Sequence, residues 1–301
     1  MFLRIRDILQ IMALASIFLC GSCSGEGKGR SGDGNAAGSS VAELPLPDVP
    51  AELSEPKERC AYVLEHFWDR MDFRDRSLTA DTAFMEQNFV NFAALFGYAD
   101  SVAVDRGVRI LLDRGSIDPG AYDMITSTAA RYLNEPNSPM YSEEFYVHFL
   151  RAMIDGNVLS DSEKDRPRYQ LEVAMKNRPG SRAADFRFRS RDGKEWCLSD
   201  FCREHDMTLL LFYDPDCENC KSVIERLADT RMPEGTGILA VYAEGDAEEW
   251  ERSKDLLPAG WTVGYAVDDI LGEELYVLPA MPTIYLIERD GTVAVKDARS
   301  F

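Results

Sequence analysis

Apolar and polar positions alternate in four different ways along the 301-residue chain. An unbroken apolar run from Ile8 to Leu19 follows Arg4 and Arg6. Next comes "SGEGKGRSGDGNAAGSSVAELPLPDVP", rich in Gly and Ser and then in Pro, which buries too little apolar area to fold. From Ser54 the apolar positions recur with helical spacing: Cys60, Val63, Leu64, Phe67, Trp68 and Met71 form one stripe, with Ser54 expected as N-cap and Pro56 in the first turn. Similar stripes predict helices in "TAFMEQNFVNFAALFGYA", "SVAVDRGVRILLDRG", "GAYDMITSTAARYLNE", "SEEFYVHFLRAMIDG" and "SEKDRPRYQLEVAMKN".

Near Pro179 the period changes. "AADFRFRSRDGKEWCLSDF" alternates apolar and polar residues about Asp192-Gly193, a hairpin signal. "MTLLLFYDPD" is the continuous apolar run of a buried central strand. Further strands are expected in "GILAVYAEG", "WTVGYAV", "TIYLIER" and "TVAVKD", the last two joined at Asp290-Gly291. Helices are expected in "CKSVIERLADTR", "AEEWERSKDLL" and "ILGEELYVL". The fold class that follows is two domains, an N-terminal all-α domain and a C-terminal α/β domain with a central mixed sheet and helices on both faces. The boundaries are residues 1–22 (leader), 23–51 (flexible tether), 52–178 (helical) and 179–301 (α/β).

Charge narrows the partners. With 52 acidic against 33 basic residues and a net charge of −19, the chain lacks the clustered cations that displace counterions from nucleic acid, and it is repelled by anionic lipid headgroups. Membrane attachment has a different basis. The leader has the layout of a secretory signal peptide, and its apolar run is too short to span a bilayer comfortably. "LCGSC" resembles a bacterial lipobox. Cys23, after small Ser22, is the expected lipid attachment site in preference to Cys20, which follows bulky Leu19. A cleaved leader with an unmodified cysteine is the plainer alternative. Removing the leader leaves Cys23 and five other cysteines, and five argues for at least one free thiol in an exported protein.

The candidate chemistry lies in "LLLFYDPDCENCKSVIERL", residues 209–227. A strand ending at Asp214-Pro215-Asp216 and passing into a helix places Cys217 at the helix N-terminus, where backbone N–H groups favour a thiolate. Cys220, one turn on, is placed to resolve a mixed disulfide formed on Cys217. A zinc site is the first rival, with Cys197, Cys202 or His205 completing the ligands, but C-x4-C is not the C-x2-C of a zinc knuckle. Cys197 and Cys202 otherwise read as small core residues, or as a second disulfide or relay. Cys60, His66 and His148 read as packing or surface residues. A third reading is a redox-inert binding module in which Cys217 and Cys220 are only a staple. A peroxidase is disfavoured because Asp214, not Thr, stands three residues before Cys217.

These residues resemble the thioredoxin fold, and especially the exported, envelope-tethered thiol-disulfide oxidoreductases. The resemblance covers about 120 residues and rests on the entry hairpin "AADFRFRSRDGKEWCLSDF", on Cys217-Glu218-Asn219-Cys220, and on "AMPTIYLIERDG". It implies Cys217 as nucleophile and Cys220 as resolving thiol. It also implies that Met281 and Pro282 form a cis-proline loop facing them and lining the substrate groove. No cofactor or metal is implied, since the dithiol is itself the redox group. The implied partners are disulfide- or thiol-bearing envelope proteins and a further protein that regenerates the pair. The helical half, with "YVLEHFWDRMDFRD", resembles a domain of unknown function that precedes a thioredoxin-like domain in Gram-negative envelope lipoproteins.

Two departures matter. The Trp usual before the first Cys is replaced by Asp216, so Asp214, Asp216 and Glu218 surround the nucleophile against Lys221 alone. An exposed carboxylate at ~6 Å and an effective dielectric near ~60 costs a thiolate about 0.9 kcal/mol, opposing the helix terminus. A reductant or isomerase is therefore expected rather than a strong oxidant. The sequence also ends soon after the last strand, without the helix that closes the resembled fold. One sheet face is expected to be covered by the helical domain or left to a partner.

Overall fold

The computed structural model describes residues 43–296, which form two compact units dividing between Ala174 and Met175. Cys23, the leader and most of the tether lie outside the described residues.

The first unit is helical: α1 Pro56–His66, α2 Thr82–Ala93, α3 Ser101–Gly115, α4 Pro119–Ala129, α5 Glu143–Asp155 and α6 Asp165–Met175, with a single turn at Arg76–Thr79. Helix ends follow from side-chain chemistry. Asp81, Asp100, Asp118 and Ser142 each accept a backbone N–H of the first turn of α2, α3, α4 and α5. The expected cap of α1 is displaced by one residue. Glu55 occupies that position with no side-chain hydrogen bond, and Pro56 supplies the helical φ instead. The predicted α1 stripe also outruns its helix. Phe67, Trp68 and Met71 are buried but lie in turns closed by Asp69 N–H to His66 O and Met71 N–H to Trp68 O. Arg114 caps this end by donating to Trp68 O at 3.1 Å and pairing with Asp69.

The core is an aromatic stack. Phe92 meets Phe67 at 5.5 Å and Phe96 at 5.1 Å, and Phe96 meets Phe145 at 5.3 Å. Gly107 lets α3 cross α1 closely: a Cβ there would lie 3.2 Å from Leu64 Cβ and 3.3 Å from Leu64 O.

His148 is a buried polar link between α5 and α3. Its Nδ1 lies 3.3 Å from Asp105 Oδ1, and its Nε2 lies 3.4 Å from Ser101 Oγ. The carboxylate can only accept, so Nδ1 carries the hydrogen and Nε2 accepts from Ser101. Burial pushes the imidazole below its ordinary value of 6.5, although Asp105 pulls it up; Arg151 adds to the lowering and Glu144 opposes it. A proton taken up by the unfolded chain below pH ~6.5 and refused by the folded one lowers stability as pH falls. The helical unit is therefore expected to lose up to about 1.4 kcal/mol per pH unit below pH ~6.5, until the folded histidine itself titrates. Urea midpoints between pH 7 and 5, compared with those of His148→Gln, check this. An unchanged slope in the variant would assign the effect elsewhere.

The second unit carries one seven-stranded sheet. Its strands are β1 Arg187–Ser190, β2 Glu195–Cys197, β3 Met207–Phe212, β4 Thr236–Tyr242, β5 Thr262–Ala266, β6 Thr283–Glu288 and β7 Val293–Val295, in the order β2-β1-β5-β4-β3-β6-β7. The β3–β4 and β4–β5 pairs are parallel and the others antiparallel, so the sheet is mixed. Both expected hairpins form, each with its Gly in the left-handed region, Gly193 at φ +84° and Gly291 at φ +87°. Every residue of β3 is buried. Leu210 and Phe212 point to the face covered by α7 Leu198–Arg203, and Leu209 and Leu211 to the face covered by α8 Glu218–Ala228 and α9 Ala247–Ser253.

One predicted helix is absent. "ILGEELYVL" is a run of turns in which Asp269 Oδ1 accepts from Gly272 N–H, Leu275 N–H reaches back to Ile270 O, and Glu274 takes φ +49°. The left-handed residue ends any helical path. It turns Tyr276 inward, where its hydroxyl donates to Ala184 O at 2.8 Å. This unit also begins ahead of the change in texture at Pro179. Lys176 pairs with Glu274 at 2.9 Å, and Asn177 donates to Leu275 O and accepts from Ala184 N–H.

Candidate functional site

The apolar run of β3 stops where Asp214 begins a turn. Asp214 O accepts from Cys217 N–H at 3.2 Å, and Asp214 Oδ1 accepts from Asp216 N–H at 2.8 Å. That turn delivers Cys217 as the N-cap of α8. Its sulfur accepts from Cys220 N–H at 3.3 Å, the role a Ser or Asp oxygen plays at other helix starts. A donor aimed at the sulfur from a helix N-terminus stabilises negative charge there.

The opposite wall comes from the far end of the chain. The antiparallel register of β3 with β6 sets Phe212 against Thr283, so the loop entering β6 lies beside the turn leaving β3. The Met281-Pro282 bond in this loop is cis. Met281 O faces the thiols, accepting from Cys217 Sγ at 3.7 Å and from Asn219 Nδ2 at 3.2 Å. Thr283 Oγ1 donates to Ala280 O at 2.6 Å, closing the loop on itself.

The two sulfurs have different surroundings. Cys217 is half-buried, whereas Cys220 is fully buried among Leu211, Tyr213 and Ile284. Burial, first, pushes the Cys220 thiol up to about 12; a hydrogen bond with the Asp214 backbone opposes the rise, and Cys217 and the Asp214 carboxylate add to it. Lys221 is held by Glu218 at 2.7 Å.

Cys217, Cys220, Met281 and Pro282 thus converge, and Asn219 joins them unanticipated from sequence. The signal was available, since a short amide inside the C-x-x-C faces whatever the proline loop presents. Cys202 is buried with Phe201 against the α7 face of the sheet, while Cys197 is the N-cap of α7 and lines a surface groove of about 540 Å³ with Arg187 and Trp196. Cys60 is half-buried on α1 and donates to Leu95 O at 3.4 Å. His66 pairs with Asp69 at 2.7 Å. Among the described residues no three His, Cys, Asp or Glu side chains come together as a metal-ligand set. None of the described helices is long and apolar enough to cross a membrane.

Comparison with known proteins places both halves. The family model described as a domain of unknown function, DUF5106, matches residues 22–177. A solved thioredoxin-like protein from Bacteroides caccae is 30% identical, covering 84% of this chain and 94% of its own, with a TM-score of 0.77. The C-terminal domain of an uncharacterized protein from Bacteroides fragilis is 29% identical, covering 41% of this chain and 91% of its own, with a TM-score of 0.39. The thioredoxin domain of a thiol-disulfide oxidoreductase from Bacteroides vulgatus is 18% identical, covering 41% and 93%, with a TM-score of 0.35. No curated protein matches.

Proposed function

This chain belongs to the DUF5106 family, its family domain followed by a thioredoxin-like unit, and we propose that it is an envelope lipoprotein that exchanges disulfides through Cys217 and Cys220. The observation that carries this reading is the placement of the Cys217 sulfur. It sits at a helix N-terminus, takes an N–H from Cys220 and lies 3.7 Å from the carbonyl of Met281.

The chemistry is a pair of substitutions at sulfur. The Cys217 thiolate attacks one sulfur of a substrate disulfide, whose S–S bond breaks, and the released sulfur leaves as a thiolate that takes up a proton. Cys220 then gives up its proton and attacks the Cys217 sulfur of the mixed disulfide, expelling the second substrate thiol. The substrate gains two electrons, and Cys217 and Cys220 become a disulfide that a separate dithiol partner must reduce. Met281 and Pro282 form the wall against which the substrate lies.

The carboxylates of Asp214, Asp216 and Glu218 oppose charge on Cys217, which favours a reductase or isomerase over a strong oxidant. Titration of the purified chain in glutathione and dithiothreitol buffers tests this. The expected result is a reversible two-electron transition between about −270 and −180 mV, lost in Cys217→Ser and in Cys220→Ser. A midpoint above about −150 mV would reverse the direction of exchange. No reduction down to about −300 mV would make the pair a structural staple and leave function to the helical unit, the binding-module reading.

Attachment is proposed through a lipid on Cys23 after removal of the leader, which puts the site in the cell envelope at the end of a tether. Cys23→Ala is expected to move the protein from the membrane to the soluble envelope fraction. Continued membrane retention of the variant would refute the anchor.

A further inference from the structure

We propose that the redox site selects cationic partners: carboxylates on the two loops beside Cys217 favour disulfides flanked by Lys or Arg and hold off those flanked by acids. This rests on the redox reading above and specifies the substrate class of the same site. The half-exposed Cys217 sulfur and the Met281 carbonyl mark where a substrate disulfide must lie; the surrounding charges decide which one is admitted.

The sheet brings the two loops together. β4 runs parallel to β3 with Val241 in register with Phe212, so both strands end on the same edge and their continuations leave side by side. The rings of Tyr213 and Tyr242, the next residues of each strand, are 6.3 Å apart. From there one loop carries Asp214, Asp216 and Glu218, and the other carries Glu244 and Asp246 before α9. Their convergence shows at one hydroxyl. Tyr242 is pushed up to about 12 by burial first and then by Glu244, Asp246, Asp214 and Glu249, charges that come from both loops and from α9.

The cations at hand are already engaged. Lys221 bonds Glu218 at 2.7 Å, Arg252 bonds Glu249, and Lys254 bonds Glu251. Arg189 lies over the Tyr265 ring at 5.5 Å. Among the described residues Asp214, Asp216, Glu244 and Asp246 make no direct ion pair; Lys221 and Arg252, each bonded to a neighbouring Glu, feel Asp214, Asp216 and Asp246 only through space, so the edge keeps an excess of negative charge. The third wall, Leu278 to Thr283, carries no charge to offset them. A concentration of like charge at a reactive edge raises the encounter rate of opposite charges and lowers that of like ones, with a reach set by ionic strength. The net charge of −19 acts in the same direction.

The test compares oxidation of the reduced, purified chain by three small disulfides: dicationic cystamine, dianionic dithiodiglycolate and neutral hydroxyethyl disulfide. Each rate is divided by that of the same disulfide with free dithiothreitol, a neutral dithiol, which removes intrinsic reactivity. At ~10 mM ionic strength the corrected rate for cystamine is expected to exceed that for dithiodiglycolate by about tenfold or more, falling to about twofold at ~0.5 M salt. In Asp216→Lys/Glu244→Lys the low-salt ratio is expected to fall at least about threefold. Equal corrected rates at low salt, or a preference that ignores both salt and the two substitutions, would overturn the inference while leaving the redox reading intact. Failure to react even with hydroxyethyl disulfide would overturn both.

Discussion

Replacing Cys217 with Ser is expected to lower the rate of disulfide reduction by at least about 10³-fold, equivalent to about 4 kcal/mol of transition-state stabilisation. No other described thiol occupies a comparable position. Cys220 is buried behind it, Cys202 lies in the core, and burial raises the Cys60, Cys197 and Cys202 thiols above their ordinary range. Cys220→Ser is expected to behave differently. Attack by Cys217 survives but resolution does not, so one equivalent of mixed disulfide accumulates with glutathione disulfide and is visible by mass. In the unaltered chain, resolution by Cys220 should accelerate steadily with rising pH between ~6 and ~9, because burial holds its thiol above the ordinary range and its thiolate fraction grows throughout. Insulin reduction and stopped-flow trapping measure both steps. Substantial activity in Cys217→Ser would reassign the nucleophile.

The second large effect is structural. Phe212 ends β3 with no exposed surface and stacks on Tyr276 at 4.9 Å, Phe186 at 6.0 Å and Tyr285 at 6.3 Å. Those partners come from two parts of the chain distant from Phe212, so collapse around a truncated side chain would require all three rings to move. Phe212→Ala is expected to cost about 3 to 5 kcal/mol and to lower the unfolding temperature of the thioredoxin-like unit by more than about 10 °C. Denaturant unfolding followed by circular dichroism checks the value. A loss below about 1 kcal/mol would mean that neighbours refill the space and that this stack does not secure the sheet. The site shares the consequence, because Asp214 and Cys217 are placed by the end of the same strand.

Much of this was legible along the chain because it depends on near neighbours. The period of 3.6 marked the helices of the first unit, and the continuous run Met207–Phe212 marked the buried strand. Asp-Gly pairs located both hairpins, since the left-handed third residue of each loop favours Gly. Where the reading failed, a local pattern was overridden by something distant. "ILGEELYVL" has helical spacing, yet Tyr276 must reach Ala184 and Lys176 must reach Glu274, contacts that a continuous helix would not make. The stripe through Met71 likewise continued past the end of α1, because burial persists through a turn that Arg114 stabilises from α3.

By itself the sequence determined the order of the strands and of every predicted helix but "ILGEELYVL", the two hairpins and a C-x-x-C at a strand-to-helix junction, because each follows from side chains within a few residues of one another. Only the tertiary structure decided that Met281 O lies 3.7 Å from Cys217 and 3.2 Å from Asn219, that Cys220 is sealed while Cys217 is not, and that the acidic loops after β3 and β4 share an edge. The physical reason is sheet register. Pairing Phe212 with Thr283 and with Val241 joins segments far apart in the chain, and no local periodicity encodes which strands become neighbours.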